Sequence, residues 1–190
     1  LAHEYLEPPG RAAKWLENAQ ELALSEPEGS VFVPKKDSMN DERIFSYELS
    51  YKKGACVLHM LRTEINNDEV FFSILRSFLQ KHKFSTASIR DFQKTVEDQT
   101  GKSYQLFFDQ WIFGSGFPVY SIRKEIRKNK LVILSQQQTT SSLTPFFNIS
   151  MDFLIEDDQG ERIVTFQQKK NVQRFRIPID GTLKKFTPDP

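Results

Sequence analysis

Apolar positions along the chain change period between residues 113 and 118. Up to residue 113 they recur every three or four residues, which gives a helix one buried stripe. From Pro118 onward they alternate, which gives a strand one buried face. The stretch from Gly10 to Leu24 is rich in Ala, Leu and Glu and predicts a helix halted by Pro27 and Gly29. After a polar loop, a long helix is expected from near Asp41 or Ser46 to Ile65. Val57, Leu58, Leu61 and Ile65 lie on one face of it, and Asn66-Asn67 ends it. The next begins at Asn67 or Asp68 and carries Val70, Phe71, Ile74, Leu75, Phe78 and Leu79, a stripe wide enough to require burial. Ser85 or Thr86 is the expected cap of a helix bearing Ile89, Phe92 and Val96, closed by Gly101. A short aromatic helix with Tyr104, Phe107, Phe108 and Trp111 runs into the breaker sequence from Gly114 to Pro118.

Beyond Pro118, the apolar run from Leu131 to Leu134 reads as a strand, as does the alternation of Phe147, Ile149, Met151, Phe153 and Ile155. Asp157 to Gly160 forms a turn, Arg162 to Phe166 pairs back, and Phe175, Ile177 and Ile179 alternate again. Five or six antiparallel strands fit. The fold class is therefore α+β, with residues 1–117 helical and residues 118–190 a small antiparallel β-sandwich.

Composition narrows the function classes. Lys and Arg number 26 against 25 Asp and Glu, a net charge of +1 spread along the chain, so no electrostatic footprint for nucleic acid is visible. No apolar run approaches the roughly 20 residues that span a bilayer. The 17 Phe are enough to build a core, and a single cysteine, Cys56, excludes an intrachain disulfide and a multi-cysteine zinc site.

Most candidate chemistry has a plainer reading. His3-Glu4 begins like the zinc-binding H-E-x-x-H, but Glu7 stands where the second histidine belongs and Pro8-Pro9 breaks the helix. Cys56 and His59 share a helix face, yet no third ligand or orienting carboxylate has matching spacing, so packing is expected. His82 reads as a surface residue between Lys81 and Lys83 at a helix C-terminus. Glu156, Asp157 and Asp158 lack the alternation of a calcium loop and read as a solvated hairpin tip. The patch Gly54-Ala55 would let a neighbouring helix approach closely.

The segment Tyr51-Lys52-Lys53-Gly54-Ala55-Cys56-Val57-Leu58-His59-Met60-Leu61 resembles the Y-x-K-G-A-x-V-L-x-M-L helix of the M1 family of zinc aminopeptidases, the gluzincins. Phe107-Phe108-Asp109-Gln110-Trp111 with Gly116-Phe117-Pro118 is similar to that family's F-F-x-x-W…G-x-P ending of the catalytic domain. The resemblance covers most of residues 10–190 and is weakest at 25–40. It implies the helical part of a thermolysin-like catalytic domain, then a small Ig-like β-sandwich whose closing D-P is Asp189-Pro190.

The resemblance also implies a role for Tyr51, as donor of a hydrogen bond to the oxyanion that forms when metal-activated water attacks a peptide carbonyl. The family's G-x-M-E-N, H-E-x-x-H and zinc-ligand Glu precede this helix, and none occurs between Leu1 and Tyr51. The chain is thus expected to be a fragment, inactive by itself and binding no metal. A longer parent would hold the zinc and take peptide substrates. Two other readings remain: a noncatalytic M1-like scaffold or protein-binding module, and an unrelated helical adaptor with an adhesive β-sandwich. Truncation would leave apolar surface on the helical half through which fragments self-associate.

Overall fold

The computed structural model describes residues 10–188. His3-Glu4 and Asp189-Pro190 lie outside the described residues. The chain divides into two compact units, Leu1–Gly116 and Phe117–Pro190.

In the first unit, α1 (Arg11–Leu24) is followed by a short 3₁₀ turn (Lys35–Asp37) and α2 (Asp41–Ile44). A π-helical turn over Tyr47–Lys53 leads without a break into α3 (Gly54–Ile65). Then come α4 (Asp68–Lys81), α5 (Ile89–Thr100), α6 (Gln105–Phe108) and a second π-helical turn over Asp109–Phe113. The expected long helix from Asp41 is therefore two pieces. Asn40 caps α2, which stops at Phe45. Ser46 then starts the next piece by accepting the Leu49 amide on its side chain.

Asn66, at φ 51, closes α3 in the left-handed region, and Asn67 caps α4 through the Val70 amide. The cap of α5 is Ser88, rather than Ser85 or Thr86. Ser88 alone of the three stands three residues before a carboxylate, Asp91, that can reach back to complete a capping box. Gly101, at φ 67, ends α5 as expected.

Leu61, Phe71, Ile74, Val96 and Phe108 are fully buried and form the core of this unit. Phe92 bridges the helices, its ring 5.1 Å from Phe78 and 6.0 Å from Phe108. The stripe on α4 is narrower than its sequence suggests: Phe71 and Ile74 are inside, whereas Leu79 is 69% exposed.

The second unit has two three-stranded antiparallel sheets. One runs β1 (Pro118–Arg127), β2 (Lys130–Thr139), β5 (Val172–Pro178), and the other β4 (Gly160–Gln168), β3 (Ile149–Asp157), β6 (Lys185–Pro188). Leu131, Ile133, Phe175 and Ile177 of the first sheet, with Ile179 just past β5, form one core with Met151, Phe153 and Ile155 of the second.

The alternation on β3 runs one step further than the apolar residues do, because Asp157 follows Met151, Phe153 and Ile155 on the inward face and is fully buried. It is not a solvated tip residue. Arg162 holds both of its oxygens, at 2.9 and 2.8 Å, and the amides of Gln159 and Asp180 donate to it at 2.9 and 3.1 Å. The Arg162 hydrogen bonds, before the other contacts, hold the Asp157 carboxyl well below the usual carboxylate range.

Candidate functional site

The π-helical turn carries Tyr47, Tyr51, Lys52 and Lys53. Ser46 O accepts from the Ser50 amide at 3.0 Å and from the Tyr51 amide at 3.4 Å, so the ladder slips from i→i−4 toward i→i−5 as it reaches Tyr51. The Tyr51 side chain is 55% exposed, and its hydroxyl makes no hydrogen bond with the described residues. It borders two cavities. One of about 410 Å³ is shared with Trp15, Tyr47 and Lys52, and one of about 560 Å³ is walled by Val31, Leu58, Phe78, Phe92 and Phe107.

The loop at residues 29–32, whose Val31 lines the larger cavity together with Tyr51, is tied down from three directions. Lys53 Nζ donates to Gly29 O at 2.6 Å and to Gly116 O at 2.9 Å, and the Gly116 amide also donates to Gly29 O, at 3.0 Å. The Arg43 guanidinium donates to the carbonyls of Ser30 and Phe32 at 2.6 and 2.8 Å. Ile112 O accepts from Ser30 Oγ at 3.0 Å and from the Phe32 amide at 3.1 Å. A Cβ on Gly29 would meet the Leu49 side chain, which would have to shift to admit it. At Gly54 a Cβ would meet Val31 at an ordinary 3.8 Å, so no close helix approach explains that glycine.

Burial first, and the nearby Arg43 charge second, depress Lys53 from 10.5 to about 8. The folded chain sheds this proton near pH 8, whereas the unfolded chain keeps it to about 10.5. Between those values the unfolded state binds more protons, and stability of the helical unit rises with pH. Unfolding free energies from urea titrations taken from pH 7 to 10.5 should climb by on the order of 3 kcal/mol. A Lys53→Met chain should lack that climb, and a flat profile in the unmodified chain would refute the assignment.

The remaining candidates come apart. Cys56 and His59 are half-buried and share no hydrogen bond, and burial pushes the Cys56 thiol up, away from a nucleophilic thiolate. His82 is not a solvated surface residue: its ring packs 4.9 Å from Phe78, Nδ1 lies 3.3 Å from Thr86 O, and Nε2 is enclosed. Among the described residues no three His, Cys, Asp or Glu side chains come together, so these residues do not fit a zinc site. No helix among them is long and apolar enough to cross a membrane.

Residues 11–111 match the model of the peptidase family M1 domain. The chain belongs to peptidase family M1. Aminopeptidase N of Lactococcus lactis is 34% identical over 106 residues, which are 56% of this M1 chain and 12% of that protein. Tricorn protease-interacting factor F2 of Thermoplasma acidophilum is 32% identical over 99 residues, 52% of this chain and 12% of its own length. Bovine glutamyl aminopeptidase is 27% identical over 141 residues, 71% of this chain and 14% of the relative. The chain thus spans about an eighth of the length of these relatives. In fold it is similar to aminopeptidase A of Legionella pneumophila, solved in complex with aspartic acid. The TM-score is 0.58 at 15% identity, over 76% of this chain and 17% of that one.

Sequence reasoning reached Tyr51 through the motif helix but passed over Arg43, Lys53 and Ser30 as clamps of the 29–32 loop. Each acts on a main-chain carbonyl far away in sequence, which leaves no periodic trace. The one available signal was Lys53 inside the motif itself.

Proposed function

We propose that this M1 chain is the oxyanion-stabilising part of a zinc metalloaminopeptidase that removes N-terminal residues from peptides. Tyr51 donates its phenolic proton in a hydrogen bond to the oxygen of the attacked carbonyl. The zinc is held by residues of the longer protein and supplies the activated water. One observation carries the reading: on the family's motif helix, a phenol stands 55% exposed at the rim of two cavities with no hydrogen-bond partner among the described residues. A donor of this kind is most useful when it is free in the ground state and engaged once negative charge develops. An adaptor core would instead enclose the ring.

The rest of the neighbourhood supports positioning. Lys53, two residues along, secures the 29–32 loop, and the capped π-helical turn fixes the backbone that bears the phenol. On this reading the 190-residue chain alone does not turn over substrate, because a lone oxyanion donor neither generates the nucleophile nor protonates the leaving amine.

The test is the release of chromophore from a panel of aminoacyl-arylamides. The longer protein that carries this segment should cleave members of the panel and lose that activity to a chelator, while the 190-residue chain cleaves none. A longer protein inert toward the whole panel would replace this reading with that of a noncatalytic scaffold on the M1 fold.

A further inference from the structure

Among the described residues each sheet of the β unit ends in two edge strands, whose unpaired main-chain groups can pair with another chain. Three of the four edges carry features that discourage this. β1 has Arg123, Lys124, Glu125 and Arg127, β5 has Arg174, Arg176 and Pro178, and β6 is four residues long and ends at Pro188. β4 is the exception. Glu161 and Arg162 stand beside its turn, and Ile163-Val164-Thr165-Phe166-Gln167 then runs without a charge or a proline. Ile163 is 59% exposed, and Val164 and Phe166, packed at the margin of the core, are only partly covered.

The hairpin fixes which main-chain groups of β4 face outward. Asp157 and Gly160 close a two-residue turn, and bonding alternates along the ladder from that pair. The even-numbered residues of β4 therefore bond to β3, and the odd-numbered ones turn their N–H and C=O away. One end of the edge shows this directly. The Gln173 side-chain amide donates to Gln167 O at 3.0 Å and accepts from the Lys169 amide at 2.8 Å, as a passing strand would. No group of the described residues takes up the outward N–H and C=O of Glu161, Ile163 and Thr165 in this way.

We propose that the β4 edge is a pairing surface for a second copy of this chain, whose own β4 adds antiparallel about a twofold axis at Thr165. The inference does not rest on the peptidase reading. Opposed residues share a face of the sheet, so even-numbered residues must meet even-numbered ones if both core faces are to stay on one side. In the register centred on Thr165, Thr165 meets Thr165 and Ile163 meets Gln167. Val164 meets Phe166, which extends the apolar face of both sheets. Glu161 then stands opposite Lys169 at each end. Sliding by two residues either way loses those ion pairs, by putting Glu161 opposite Gln167 or Lys169 opposite Ile163. An uncharged centre between ends of opposite sign is complementary to itself, which is what a twofold contact requires. Gln173 need not leave, since a carbonyl oxygen has two lone pairs and Gln167 O can accept from a second N–H.

Strand addition buries less than the roughly 1,200 Å² of a standard interface, so the dimer is weak, and sedimentation of the 190-residue chain is followed up to about 1 mM. A reversible monomer–dimer equilibrium is expected. Thr165 is exposed, so Thr165→Lys should keep the melting curve while setting two like charges face to face at the axis. It should raise the dissociation constant by about tenfold or more. Glu161→Lys should weaken the dimer, and adding Lys169→Glu should restore it. To locate the contact, light and heavy-nitrogen chains are mixed and treated with a carbodiimide, which joins a carboxylate to an amine it touches. Links between Glu161 of one isotope and Lys169 of the other are expected. Glu161 and Lys185, 3.2 Å apart within one chain, give the internal standard. A chain that stays monomeric throughout overturns the proposal. So does a dimer indifferent to Thr165→Lys, or one whose mixed-isotope links fall only in the helical unit. Failure of the charge swap to restore pairing overturns the register centred on Thr165.

Discussion

On the proposed oxyanion role, replacing Tyr51 by phenylalanine should lower kcat of the longer protein toward an aminoacyl-arylamide by about 10²–10³ and leave KM nearly unchanged. The split follows from where the hydrogen bond is made. The hydroxyl has no partner among the described residues, so its loss strands no buried group and should shift stability by no more than about 0.5 kcal/mol. Ground-state binding does not depend on a donor that is engaged when the carbonyl oxygen becomes an anion. Matching melting curves for the two proteins, with turnover reduced in the phenylalanine version, is the expected result. Equal turnover would remove Tyr51 from the chemistry. A rise in KM with unchanged kcat would make it a plain substrate contact.

Phe153→Ala should unfold much of the β unit. Phe153 is fully buried at the centre of β3. Its ring lies 6.3, 6.1 and 5.7 Å from those of Phe166, Phe175 and Phe186, which belong to strands of both sheets. Deleting a buried phenylalanine ring costs about 3–5 kcal/mol. A domain of roughly 70 residues has only about 4–10 kcal/mol of net stability to lose. Denaturant titration followed by far-ultraviolet circular dichroism should show the strand signal lost at a markedly lower midpoint. A midpoint within error of the unmodified chain would mean that Phe153 does not organise this core.

How far the sequence could be read depended on whether the deciding interaction was local. The change from a helical to an alternating period gave the order and type of the elements, because each apolar face is written in consecutive turns or pleats. Caps made by neighbours were readable too: Asn67 before α4 and Gly101 after α5 stand where residue type alone would put them. The cap of α5 was misplaced because Ser85, Thr86 and Ser88 are equivalent by type, and the difference lies in which of them reaches Asp91. Asp157 was misread because charge was weighed above period, although its position on β3 already pointed inward and Arg162 stood ready across the turn. Tyr51 was singled out by the motif resemblance alone. The clamping of the loop by Lys53 and Arg43, and the seat of Lys52 on Trp15, join segments eleven or more residues apart and are fixed by packing that the periodicity does not record.

The slipped ladder at Ser46 makes the length of its own segment a control on aim. A one-residue deletion between Tyr47 and Ser50 would let the turn relax to ordinary α winding. Everything upstream of it would then be carried round by about 100° relative to α3. Trp15 and Tyr47 would no longer meet the same face as Tyr51 and Lys52, although every motif residue from Tyr51 to Leu61 would still be present in order. Relatives could therefore retain the whole motif and yet point its phenol at a different neighbour, through nothing more than a change in chain count just ahead of it.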